Sequence, residues 1–326
     1  MHPVRTCSVL SVIALLAPGQ GAQTPGMLQP WLELDGTEQR LTEWSEITGL
    51  DLIRLGTTAD AEEIKDTSVT QPLVVANALL AAEQLEKQLG GLPQDLPVAG
   101  HSIGELAAAA LAGVLDFSEA MSLAAVRGRE MAAACAFEPT GMSAVLGGSP
   151  EEVLSRLSEL DLQPANRNGA GQIVAAGRSE ALEKLAAEPP EGSRVRPLAV
   201  AGAFHTAFMS PAREALSTHA NKLSPENARR PMLSNADGAA LTDGSEILRR
   251  LVDQVTRPVR WDSCMATLDE RGVTSVIELP PAGTLSGMVR RELKGTQAVA
   301  VKTPADLDKA TNALASHGQT DSENDS

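Results

Sequence analysis

Residues 96–105 read Leu-Pro-Val-Ala-Gly-His-Ser-Ile-Gly-Glu: a short apolar run, a Gly-x-Ser-x-Gly turn centred on Ser102, then at once an alanine-rich helix. An apolar strand, a tight turn and a helix in that order predict a serine carried on a nucleophile elbow. Gly100 and Gly104 leave space where side chains would collide with neighbouring backbone. A serine at a helix N-terminus also has backbone N–H groups, notably that of Ile103, aimed at an oxyanion forming beside it. The Gly-x-Ser-x-Gly pattern alone is weak, and the strand–turn–helix setting gives it meaning.

Upstream, the apolar run Val9 to Ala17 ends in Gly19-Gln20-Gly21-Ala22-Gln23. With Arg5 before it the run looks like a short secretory signal. No convincing small-x-small cleavage site follows, so it reads as a buried first strand ending in a tight loop. No other apolar run has the length to span a bilayer. Glycines on both sides of Gln20 let the backbone approach a ligand closely. The plain reading is a strand-to-helix loop; the functional one makes the Gln20 N–H a second oxyanion donor.

Downstream, helices are expected over 72–89, where Pro72 suits a first turn and Gly90-Gly91 a stop, and over 118–134. Strands near 142–146, 163–168, 172–176 and 194–200 alternate with helices over 150–160 and 179–187. That βαββαβ order is the ferredoxin-like pattern. The expected fold is α/β: a hydrolase-like parallel-sheet core over 1–138 and 203–316, with a ferredoxin-like subdomain inserted at 139–202. The polar, acidic stretch 317–326 reads as a disordered tail.

Composition narrows the function. A net charge of −15, scarce aromatics and no tyrosine oppose nucleic-acid binding, which needs cationic grooves and stacking platforms. Cys7, Cys135 and Cys264 are far apart, and no histidine has an HExxH or HxH partner, so neither disulfides nor a metal site is expected. A reducing cytoplasm and no cofactor follow as expectations. Ser102 needs a base. His2 and His317 fall in the terminal segments, His219 lies on a helix among polar residues, and His101 in an elbow should point away from the serine. His205, in Gly202-Ala203-Phe204-His205, is the remaining candidate, although a lone histidine at a chain reversal is more often structural.

Taken together these residues resemble the malonyl-CoA:acyl-carrier-protein transacylases of type II fatty-acid synthesis, relatives of the acyltransferase domains of polyketide synthases. The resemblance runs to about Leu314. It is carried by GQGAQ at 19–23, TQP at 70–72, GHSIGE at 100–105, Arg127-Gly128, GAFH at 202–205, and Gln254 with PVRW at 258–261. It implies Ser102 as nucleophile, His205 as general base, the Gln20 and Ile103 amides as oxyanion donors, and Arg127 as the ligand of the malonyl carboxylate. The Gln254 backbone carbonyl would orient His205, and Phe204 beside the substrate α-carbon would favour malonyl over methylmalonyl. Malonyl-CoA as substrate, an acyl carrier protein as partner and a monomeric state complete what it implies. Two features depart from the family: Pro280-Pro281-Ala282-Gly283 stands where many relatives have Gly-Pro-Gly, and the segment before Val9 is longer than usual.

Two other functions compete. An esterase or thioesterase would use the same elbow, but no HGGG-type loop is present, and Asp237, Asp243 and Asp262 read as turn or surface residues. A non-catalytic docking module would have no need of Ser102, His205 and Arg127 together. For an acidic chain to meet an acidic carrier, a local basic patch is expected, with Arg290, Arg291 and Lys294 first and Arg249 with Arg250 next.

Overall fold

The computed structural model describes residues 11–317. The first apolar run forms β1 (Val12–Ala17), so Val9 and Leu10, the expected start of that strand, lie outside the described residues. Its side chains alternate between two cores: Ile13, Leu15 and Ala17 enter one, Ala14 and Leu16 the other. Burial on both faces is the reason the run is apolar throughout instead of alternating with polar residues.

After β1 come α1 (Thr37–Thr48), α2 (Leu52–Thr57), α3 (Thr67–Leu89), β2 (Val98–Gly100), α4 (Gly104–Ala112) and α5 (Phe117–Ala134). α3 begins five residues before the expected Pro72, because Asp66 caps it by accepting from the Ser68 N–H at 2.8 Å. Pro72 is carried one turn inside the helix. The extra turn brings Thr67 to the Gln20 side chain, 3.4 Å away, and Gln71 to Arg127.

A second layer follows, built from β3 (Thr140–Gly147), α6 (Pro150–Glu159), β4 (Gln163–Arg167), β5 (Gln172–Arg178), α7 (Ser179–Ala187) and β6 (Ser193–Pro197). The chain then returns through α8 (Ser210–Ala220), β7 (Met232–Leu233), β8 (Ala240–Leu241), α9 (Gly244–Asp253), β9 (Val259–Arg260) and α10 (Trp261–Glu270). It closes with β10 (Val273–Glu278), α11 (Thr284–Glu292), β11 (Gln297–Ala300) and α12 (Leu307–Ala315).

The protein is therefore mixed α/β with two sheets. The larger has the order β11-β10-β1-β2-β7-β8, parallel except for the β7–β8 edge pair. The smaller has the order β6-β3-β5-β4-β9. Its first four strands are antiparallel, but β9 joins it in parallel register, with Asn166 opposite Val259 and Arg167 opposite Arg260. The sheet of the segment 139–202 thus takes in a strand from outside that segment. A strand from much later in the chain covers the edge of β4, which would otherwise present unpaired backbone groups.

One expectation about the C-terminus is overturned. His317 is not in a loose tail: its Nδ1 accepts from the Ile13 N–H at 3.0 Å and its side chain is buried beside β1. Residues 318–326 lie outside the described residues.

Parallel pairing places the site. Ala17 is in register with Gly100, and the His101 N–H donates to the Ala17 carbonyl at 3.0 Å. The Gln20 loop and the Ser102 elbow therefore leave adjacent strands at the same end, where sites form in open parallel sheets.

Candidate active site

The elbow is as tight as its glycines require. A Cβ on Gly100 would fall on the backbone of Gly104, and one on Gly104 would fall on the Ala17 carbonyl. Between them Ser102 is held at φ 54, in the left-handed region, and His205 sits at φ 62. Among the described residues only Asp161 and Ala170 share this non-glycine conformation. Each such residue costs on the order of 1–3 kcal/mol, which the surrounding structure must overcome.

Ser102 Oγ lies 2.8 Å from His205 Nε2, and His205 Nδ1 lies 2.9 Å from the Gln254 carbonyl. A carbonyl can only accept, so Nδ1 carries the hydrogen and Nε2 offers its lone pair to the serine hydroxyl. Burial, seconded by the positive charge of Arg127, lowers the His205 pKa to about 3, while the Gln254 bond works in the opposite direction. The imidazole is neutral at physiological pH. Its loop is fixed from both sides: Thr206 Oγ1 donates to the Ala203 carbonyl at 2.7 Å, and the Ala203 N–H donates to Thr140 Oγ1 at 3.1 Å.

Arg127, on α5, is buried. Its Nη1 donates to Gln71 Oε1 at 2.7 Å and its Nη2 to Ser102 Oγ at 3.2 Å. No carboxylate within the described residues forms an ion pair with it. Burial lowers its pKa to about 10, opposed by the charge of Glu105. A guanidinium stays charged there. Among the described residues the Gln20 and Ile103 backbone N–H groups have no hydrogen-bond partner, whereas those of Gly21, His101, Ser102 and Gly104 are all engaged.

These groups converge on a cleft of about 230 Å³ lined by residues of both layers, including Gln20, Ser102, Phe204 and His205 from one and Asn166 and Asn168 from the other. Of the residues singled out in the sequence, Gln20, Ser102, Phe204 and His205 line this cleft, Ile103 follows Ser102, and Arg127 and Gln254 reach Ser102 and His205 through hydrogen bonds. Sequence reasoning assigned no role to Gln71, although the residue was quoted within TQP, and it passed over Asn235, which accepts from the Ser102 N–H at 2.8 Å. Neither has a distinctive sequence signal beyond being polar and next to an apolar run.

The residues set aside are set aside by geometry as well. His101 turns from the serine: its Nε2 lies 2.9 Å from Asn168 Oδ1 and its ring meets Trp261 edge-on. Asp243 caps α9, Asp237 pairs with Arg250, and Asp262 pairs with Arg260, so none supplies an acid behind His205. Arg249 and Arg250 are tied to Glu246, Asp253 and Asp237. Arg290, Arg291 and Lys294 are exposed and, among the described residues, free of ion pairs; they lie at and just beyond the end of α11, whose first turns line the cleft. Among the described residues no group of three or more His, Cys, Asp or Glu could hold a metal ion, and no helix is long and apolar enough to cross a membrane.

A serine hydroxyl bonded to a neutral imidazole, with two unengaged amides nearby, is equipped to accept and pass on acyl groups. The acyl transferase domain family matches residues 15–320, which makes the protein an acyltransferase. The malonyl CoA-acyl carrier protein transacylase of Mycobacterium tuberculosis is 58% identical over 301 residues, covering 92% of this chain and all of that one. The crystal structure of the M. tuberculosis MCAT superposes with a TM-score of 0.89 at 57% identity, over 92% of this chain and 100% of that one. A malonyl-transacylase solved in complex with a type II PKS acyl-carrier protein superposes with a TM-score of 0.86 at 31% identity, covering 93% and 99%. The chain belongs to the malonyl CoA-acyl carrier protein transacylase family.

Proposed function

We propose that this protein transfers a malonyl group from malonyl-CoA to the phosphopantetheine thiol of an acyl carrier protein, through a malonyl ester on Ser102, in ping-pong order. The observation that carries the reading is Arg127: a buried guanidinium without a carboxylate partner among the described residues, one hydrogen bond from the nucleophile. In malonyl thioesters a single carbon separates the carboxylate from the carbonyl under attack. A cation this close to Ser102 suits that short diacid and gives acetyl groups nothing to hold.

In the first half-reaction Ser102 Oγ passes its proton to His205 Nε2 and attacks the thioester carbon. The oxyanion takes the Gln20 and Ile103 N–H bonds. The C–S bond then breaks, and His205 returns the proton to the departing CoA sulfur. In the second half, His205 takes the proton of the carrier thiol, the sulfur attacks the malonyl ester, and the proton goes back to Ser102 Oγ. Every proton moves through one imidazole, and no cofactor is required.

The fold reading is a hydrolase-like core over 1–138 and 203–316 with a ferredoxin-like subdomain at 139–202. It is supported by the antiparallel order β6-β3-β5-β4, which is fourth-first-third-second within that segment. The protein would act as a monomer in the cytoplasm, and Arg290, Arg291 and Lys294, free of ion pairs among the described residues, would meet the acidic carrier.

The test is intact-protein mass spectrometry after mixing with malonyl-CoA. A malonyl adduct should form, disappear on adding holo carrier protein, and be missing in Ser102→Ala. A persistent adduct on Ser102→Ala refutes the assignment, and steady release of free malonate without carrier indicates a thioesterase instead.

A further inference from the structure

Asn235 follows β7 and takes no part in the proton and acyl transfers above. Its fully buried carboxamide makes two bonds of opposite sense to the elbow. Oδ1 accepts from the Ser102 N–H at 2.8 Å, and Nδ2 donates to the Gly100 carbonyl at 2.7 Å. Its main chain is held as well: its N–H donates to Glu105 Oε1 at 2.7 Å, and its carbonyl accepts from the Arg260 N–H at 2.7 Å.

The chemistry admits few substitutes. An N–H can only donate and a carbonyl can only accept, so the two partners fix which end of the amide is oxygen. Aspartate would keep the acceptor for Ser102 but set a second oxygen against the Gly100 carbonyl. Alanine would leave both backbone groups buried and unpaired. The clamp spans the residues on either side of His101 and so fixes the peptide plane leading into Ser102, whose φ of 54 a free chain would avoid. Relaxation of that turn would carry Oγ away from His205 Nε2 and re-aim the Ile103 N–H.

We propose that Asn235 is a positioning residue for Ser102: its carboxamide locks the strained turn so that Oγ meets His205, and Glu105 holds Asn235 in place. This rests on the reading of Ser102 as nucleophile. The test compares wild type, Asn235→Asp, Glu105→Leu and Glu105→Gln by three measurements. These are the burst rate of CoA thiol release, the KM for malonyl-CoA, and the rate at which a sulfonyl fluoride labels Ser102, located by peptide mass spectrometry. Melting curves report folding.

Asn235→Asp should slow the burst and the labelling by about tenfold or more, while KM stays within about threefold because Arg127 is untouched. A folded Asn235→Asp protein with wild-type burst and labelling rates overturns the proposal. Should Asn235→Asp not fold, the Glu105 pair decides. Glu105→Leu removes the acceptor of the Asn235 N–H and should slow labelling, and Glu105→Gln, which keeps an acceptor, should restore most of the loss. Equal labelling of the Leu and Gln variants overturns the proposal. If Ser102 of the wild type is not labelled while another residue is acylated, the nucleophile assignment has failed, and the clamp falls with it.

Discussion

Replacing Arg127 with alanine separates a malonyl enzyme from a general acyltransferase. The guanidinium is buried, donates to Gln71 Oε1 at 2.7 Å, and lies 3.2 Å from Ser102 Oγ. Turned onto a malonyl carboxylate it can form a bidentate pair, with each charge-assisted bond contributing about 1.5–3 kcal/mol. Two bonds amount to about 3–6 kcal/mol, and at about 1.4 kcal/mol per tenfold the loss in kcat/KM for malonyl-CoA is roughly 100- to 10,000-fold. Acetyl-CoA has no group for the fork, so removing a cation that burial already disfavours should leave its kcat/KM unchanged or raise it. Arg127→Lys should recover part of the malonyl rate, because an ammonium gives the charge but not the planar pair. The truncation also leaves Gln71 Oε1 buried without its donor, a stability cost of about 1–3 kcal/mol, so melting temperatures must accompany the kinetics. The assay is kcat/KM for malonyl-, acetyl- and octanoyl-CoA on all three proteins. An equal fall for all three substrates in a folded Arg127→Ala protein would show that Arg127 supports the fold and does not read a carboxylate.

Four further outcomes are expected. His205, at about 3 when folded against about 6.5 when unfolded, binds its proton more readily in the unfolded chain, so its effect is to lower stability as pH falls from about 6.5 towards 3. For the same reason kcat/KM should show no acid limb near pH 6.5; such a limb, lost in His205→Ala, would contradict a buried neutral base. Glu105, raised to about 8 by burial, has the opposite sign: stability present below about 4.5 should be lost as pH rises through 8, and denaturant titrations of Glu105→Gln should lack that loss. Phe204→Ala should raise methylmalonyl relative to malonyl loading by roughly tenfold, the worth of a methyl group in a pocket, and an unchanged ratio in competition assays would remove Phe204 from the selectivity filter. Reversing Arg290 and Arg291 to glutamate should raise KM for the carrier protein several-fold without changing KM for malonyl-CoA, as steering by exposed charge predicts.

What could be read from the sequence was whatever depends on local chain geometry. The elbow was legible because Gly100 is forced by the backbone of Gly104 a turn later and the strand, turn and helix follow one another directly, and β1 because burial on both faces demands an uninterrupted apolar run. The inserted βαββαβ order was legible from alternating periodicity. Long-range pairing was not. Nothing in Val259-Arg260 says that these two residues will edge the smaller sheet beside β4, since a two-residue strand has no periodicity to detect. His317 was misplaced because the acidic composition after it outweighed a single imidazole whose partner, the Ile13 N–H, is 304 residues away in sequence. Gln71 and Asn235 escaped for a related reason. Their importance lies in which buried group each one meets, and a polar residue near an apolar run looks the same whether it meets Arg127, Ser102 or solvent.

On the proposed mechanism the charges of the site make recognition and catalysis interdependent. Behind His205 stands a carbonyl, not a carboxylate, so an imidazolium formed in the proposed transfer would have no fixed anion among the described residues to stabilise it. Arg127 adds a positive charge that disfavours imidazolium further, second only to burial among the causes of its low pKa. A base so weak takes the serine proton only at a high cost, which leaves little of the barrier for expelling a poor leaving group such as an amine. A thiolate, whose conjugate acid has a pKa of about 8.5 judged from cysteine, departs far more readily and asks less of the acid that follows it. On the proposed reaction the malonyl carboxylate neutralises Arg127 as it binds, which lifts that repulsion and strengthens His205 as a base only when the correct acyl group is in place. Acetyl-CoA would enter a site whose arginine remains unpaired and whose histidine remains suppressed. Discrimination then falls on kcat as well as on KM, because one guanidinium both holds the substrate and lowers the proton affinity of the base.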